Sequence, residues 1–166
     1  MKKIILMIFL TICFSDVQLK KNYGTISSGI LGEKIPLTFL DLSYIHEYDN
    51  KSELYATLGT MIFTVGIGLG YKYYFIDRDK FTPFVSSTVC MIGGGDQWES
   101  LSGFSLASGL NFSIPNWIPS LMEIMVKQPL NSDNSEKKIN IGATLFYNFD
   151  GIGGILPFLN MEIKLK

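Results

Sequence analysis

The sequence predicts an all-β protein, an up-and-down antiparallel barrel of eight strands with ten as the alternative. Three observations carry that expectation. Apolar residues recur with a period of two along most of the chain, the rhythm of strands and not of helices. Charged residues make up only 17%, whereas hydrophobic residues reach 47% and aromatic residues 13%. The positions opposite the apolar rows are mainly Gly, Ser, Thr, Asn and Ala. A watered face carries Lys, Glu, Asp and Arg, so small neutral groups suit a crowded interior, and the apolar rows are then expected to face lipid in a transmembrane barrel. At 166 residues and a formal net charge of −1, the chain is one domain's worth of material with no basic cluster, which excludes nucleic acid as an expected partner.

The first residues are a separate unit. Met1, Lys2 and Lys3 precede the apolar run Ile4 to Ile12, and Cys13 and Ser15 supply small residues before a cleavage site after Ser15. This is the pattern of a secretory signal peptide over 1–15, with 16–166 left as a single barrel domain. The run is too short to span a bilayer as a helix. Lipidation of Cys13 is the rival reading, but Ile12 is bulky for the position before a lipidated cysteine. Cleavage leaves Cys90 as the one cysteine of the mature chain, so no internal disulfide is expected, and its apolar surroundings make it a packed side chain.

The strands follow in order. The first is expected over 24–31 and the second over 37–48, where Leu40, Leu42 and Tyr44 oppose Asp41, Ser43 and Glu47. A third covers 53–63. In the fourth, 66–75, Gly66, Gly68 and Gly70 alternate with Ile67, Leu69 and Tyr71, and Lys72 and Tyr74 alternate with Tyr73 and Phe75. The fifth, 81–92, is rich in Val, Thr and Phe. The sixth, 101–112, sets Phe104, Leu106, Leu110 and Phe112 on one face, with Ser108 interrupting the row. Pro36 and Pro83 fall near strand starts, where a missing N–H is tolerated. A segment at 119–128 follows the breaker Pro115 to Pro119, and Ser120 to Lys127 reads equally as a short helix. Over 139–149, Ile139, Ile141, Ala143, Leu145, Tyr147 and Phe149 oppose Asn140, Gly142, Thr144, Phe146 and Asn148. Finally, 155–166 sets Leu159, Met161, Ile163 and Leu165 against Asn160, Glu162, Lys164 and Lys166. Nine segments conflict with the even count of a single-chain barrel, so either the first is not a barrel strand or a break is hidden.

Charges gather between the strands, at Glu47 to Glu53, Asp77 to Lys80 and Asn131 to Lys138, with glycine-rich stretches at Gly93 to Ser100 and Asp150 to Gly154. These are loops by composition. Aromatic residues cluster near strand ends, at Tyr44, Tyr48, Tyr71 to Phe75, Phe81, Phe84, Tyr147 and Phe149, as the girdles at membrane–water boundaries require.

The run Gly66 to Phe75 (GIGLGYKYYF), a charged loop, and then Phe81 to Ser87 (FTPFVSS) resemble the strand–turn–strand units of the small outer-membrane β-barrel superfamily, which includes the transmembrane domain of outer membrane protein A. The resemblance implies a bacterial outer-membrane location, with membrane lipid and the assembly machinery met during insertion as partners. Members commonly end in an aromatic residue that this machinery reads. Here the chain closes on Ile163, Lys164, Leu165 and Lys166.

Asp41, Lys72, Glu162 and Lys164 fall on the less apolar faces, so they form a candidate interior charge network. Buried charges need partners, and such a network is expected to plug the lumen, with a proton or ion path as the alternative. His46 is the only histidine, and some barrels of the resembled superfamily act on lipid A through a histidine, a serine and a carboxylate. Ile45, His46, Glu47 and Tyr48 include no serine, and alternation places His46 outward beside Tyr44 and Tyr48. No catalytic set, cofactor motif or metal-ligand spacing is present; GIGLG lacks the helix of a dinucleotide site. The expected role is structural or loop-mediated interaction through 47–53, 93–100 and 129–138. A lipid A-modifying barrel and a soluble lipocalin-like lipid carrier are the alternatives.

Overall fold

In a computed structural model the chain closes into a barrel of eight antiparallel strands, each bonded to its neighbours in sequence and the last to the first. The structure describes residues 21–61, 64–77, 81–93, 102–115, 136–151 and 153–165. The strands are β1 (Lys21–Ile30), β2 (Leu40–Glu47), β3 (Ser52–Met61), β4 (Thr64–Tyr74), β5 (Phe81–Gly93), β6 (Gly103–Ile114), β7 (Lys137–Asn148) and β8 (Gly153–Leu165). The up-and-down barrel and the count of eight are therefore as expected, and the first segment is a barrel strand. The segment at 119–128 and the signal at 1–15 lie outside the described residues.

Alternation sorts the side chains by face. Leu42, Tyr44, Ile67, Leu69, Val89, Leu106 and Leu145 stand outward and exposed, while Thr25, Ser43, Thr57, Lys72, Ser86, Thr88 and Asn140 are buried inside. The inner face also holds large side chains, which the composition of that face does not suggest. Tyr55, Tyr74, Phe84, Phe158 and Ile92 are buried there. Phe84 thus belongs to the lumen and not to a rim girdle, because it shares its face with Thr82 and Ser86. The outer row has departures: Ser52, and Ile163 with its cross-strand partner Lys137, are buried, which alternation does not explain.

Room for these rings comes from glycine. A Cβ at Gly70 would sit 2.5 Å from Tyr55 Cζ, and one at Gly66 would sit 2.9 Å from Ile35 Cγ2. The glycine row of β4 is thus the wall against which larger interior groups lie.

Strand polarity defines two rims. One carries the start of β1 and the end of β8, with Glu47, Tyr74, Phe81, Ile114 and Lys137; the other carries Ile30, Leu40, Met61, Gly93, Gly103, Asn148 and Gly153. At the first, which we call the terminal rim, β2 and β3 are joined by a tight turn in which Tyr48 N–H donates to the Ser52 carbonyl and Lys51 N–H to Asp49 Oδ1. Of the expected interaction loops, 47–53 follows β2 at the terminal rim; 94–100 and 129–135 lie outside the described residues, the flanking strand ends being Gly93 and Gly103 at the far rim and Ile114 and Lys137 at the terminal rim.

Candidate functional site: the ion-paired lumen

The interior is organised by a segment that the strand pattern does not mark. After Ile30 the chain leaves the wall and enters the barrel, returning at Leu40. Gly32, Glu33, Lys34, Ile35 and Thr38 of this β1–β2 connection are buried. Pro36, expected near a strand start, lies within it instead. The connection is bracketed by Leu31 and Leu37, both left-handed with φ of 59° and 65°. Such a backbone costs a bulky residue about 1–3 kcal/mol, so the packing inside must hold it there.

That packing is ionic at its centre. Lys34 Nζ lies 2.7 Å from Glu162 Oε2 of β8, and donates also to Thr25 Oγ1 at 3.3 Å and Ser43 Oγ at 3.2 Å. Its three N–H donors are thereby all used. Lys72 Nζ of β4 lies 2.7 Å from Glu33 Oε1, with both side chains 1% exposed, and stands 3.8 Å above the centre of the Phe84 ring. Two lysines and two glutamates cancel in charge, which is the condition for keeping them out of water. Ile35 fills the next layer, clustered with Cys90, Ile92 and Phe146.

Neutral polar groups complete the filling. Tyr55 Oη and Thr88 Oγ1 share a 2.6 Å hydrogen bond, and Ser43 donates to Thr57 at 2.9 Å. Tyr74 and Tyr23 donate to the two oxygens of Glu53, at 3.2 and 3.4 Å. Asn111 donates to Asn140, and Asn140 to Asn160 at 3.0 Å, tying β6, β7 and β8 together from within.

Of the four charges singled out in the sequence, Lys72 and Glu162 each hold one end of an ion pair, but their partners are Glu33 and Lys34 and not each other. Asp41 is buried where β2 begins, close to Gly32 and Gly59, and makes no ion pair among the described residues; its Oδ1 has no hydrogen-bond partner among them. Lys164 stands at the terminal rim, 3.7 Å above the Tyr23 ring and 3.9 Å from Glu136. The pattern missed Glu33 and Lys34 because adjacent opposite charges between two strands read as a solvent loop. The signal available was their setting, with Leu31, Ile35 and Leu37 too apolar for a watered turn.

His46 is outward by alternation, and its Nδ1 shares a 2.6 Å hydrogen bond with Asn22 Oδ1 on β1. Its cross-strand neighbours are Asn22 and Leu54. Cys90 is a free, buried thiol in the lumen. Among the described residues, no group of three histidine, cysteine or acidic side chains could hold a metal. Comparison with family models, characterised proteins and solved structures yields no match to this chain.

Proposed function

We propose that this chain is a small outer-membrane β-barrel of bacteria, closed by its own β1–β2 connection, whose role is structural or an interaction made at a rim. One observation carries the reading: the apolar face is the outer one and the charged face is the inner one, the reverse of a water-soluble barrel. Exposed aromatic side chains support it, with Tyr48, Tyr71, Tyr73, Phe75 and Phe81 towards the terminal rim and Phe104, Tyr147 and Phe149 towards the far rim. They fit two membrane–water boundaries. A carrier of lipid needs an apolar interior, whereas Glu33, Lys34, Lys72 and Glu162 occupy this one. A lipid A-modifying enzyme needs a base beside a nucleophile, whereas His46 hydrogen-bonds to Asn22.

The decisive experiment is membrane fractionation of a Gram-negative host expressing the whole chain, with heat-modifiable migration on gels as the mark of a folded barrel. Extraction by detergent alone is the result expected. A folded, soluble monomer in plain buffer overturns the reading.

A further inference from the structure

The barrel is closed, but at the far rim its wall is of uneven height. β1 stops at Ile30, opposite Leu159, but β8 continues beyond that level through Phe158 to Gly153. There β8 has β7 on one side, in unbroken register from Ala143 opposite Pro157 to Tyr147 opposite Gly153. On the other side the place of a strand is vacated, because the chain has turned inward at Leu31.

Which main-chain groups face that side follows from the backbone. The Phe146 carbonyl is directed at β8, where it comes nearest a Cβ at Gly153, and the Leu159 carbonyl is directed at β1, where a Cβ at Gly29 would strike it. Groups alternate along a strand, so Gly154, Leu156 and Phe158 bond to β7, while Gly153, Ile155 and Pro157 point into the notch. Pro157 agrees with this, since a proline is tolerated where its missing N–H belongs to no ladder. The notch thus presents two N–H donors and three carbonyl acceptors with no described partner. Ile155 and Ile30, which flank it, are 73% and 65% exposed, and a Cβ at Gly154 would meet nothing within 4 Å.

We propose that this edge receives an added β-strand: an extended segment of a partner polypeptide, antiparallel to β8, with an apolar side chain beside Ile155 outside and a small one in the space beside Gly154 inside. Bare strand edges are templates for pairing. The edge exists whatever solvent surrounds the barrel, and the proposed membrane location adds only that a bare edge at the level of Leu145 is costly in hydrocarbon. An acyl chain fits the two isoleucines but satisfies none of the five polar groups. A second copy pairing edge to edge would run antiparallel, which inverts one barrel against the other.

Amide hydrogen exchange on the full chain folded in detergent tests this residue by residue, with a synthetic peptide of alternating valine and threonine as the probe and its fully N-methylated counterpart as the control. In the free barrel, Gly153 and Ile155 exchange fast and Leu156 slowly. The plain peptide protects Gly153 and Ile155, and the N-methylated one does not. Ile155→Pro removes an N–H that β7 does not use and weakens binding roughly three- to tenfold, the worth of one main-chain hydrogen bond. Should that variant not fold, the comparison of the two peptides on the unaltered chain decides alone. Protection of Gly153 and Ile155 before any peptide is added, equal protection by both peptides, displacement of the peptide by lauric acid, or no protection at all overturns the proposal.

Discussion

Lys34 and Glu162 meet at 2.7 Å across 128 residues of sequence, joining the connection after the first strand to the closing part of the last. Both side chains are nearly shut off from water, and among the described residues each is the other's counter-charge at contact. Glu162→Gln leaves the Lys34 ammonium buried with its neutral partners Thr25 and Ser43. Breaking one side of such a pair costs about 3–5 kcal/mol, read as a lowered urea midpoint at unchanged slope. The double variant Lys34→Met with Glu162→Leu recovers most of this loss, because no uncompensated charge remains.

Closure of the lumen depends on the connection and not on the wall. Replacing Glu33, Lys34 and Ile35 together with glycine removes both ion pairs and the side chain that fills the layer beside Cys90 and Ile92. Current steps in planar bilayers are expected from this variant and not from the natural chain. Equal silence from both would mean that the strand side chains seal the barrel unaided.

The glycines of β4 and β8 respond differently to the same change. Gly70→Ala forces the Tyr55 ring and the Ser87 carbonyl to shift and costs about 1–3 kcal/mol as overpacking. Gly154→Ala meets no neighbour within 4 Å and stays within about 0.5 kcal/mol of the natural chain. Paired denaturation curves in one detergent give the comparison directly.

The solvent of the outer face has its own assay. Leu69 lies at the centre of β4 and points outward. Leu69→Arg costs about 2–4 kcal/mol for folding into lipid vesicles, against about 0–1 kcal/mol for Thr60→Arg near the far rim. A face bathed in water would show no such dependence on depth.

Much of the fold is legible in period-two alternation, because one face of most strands is predominantly apolar and a slip of one residue would invert it. β4 and β7 are the clearest cases: every inward and outward assignment from Gly66 to Tyr74 and from Ile139 to Phe149 matches the burial. The interior is less legible. Lys72 and Glu162 declare themselves as charges on a neutral face, but their partners come from a stretch with no periodicity, and long-range pairing leaves no local trace. Pro157 carries a signal that alternation ignores, since its meaning depends on which neighbour is missing.

Because Lys34 finds its counter-ion on the final strand, sealing the seam between β8 and β1 and neutralising the interior become one event. A nascent sheet lacking its eighth member offers Glu33 its partner Lys72 but leaves Lys34 without Glu162, so the Lys34 ammonium must stay hydrated, holding the inward segment outside the forming cylinder. The last strand to dock therefore licenses the plug, and incomplete chains are marked as unfinished by one ammonium still in water.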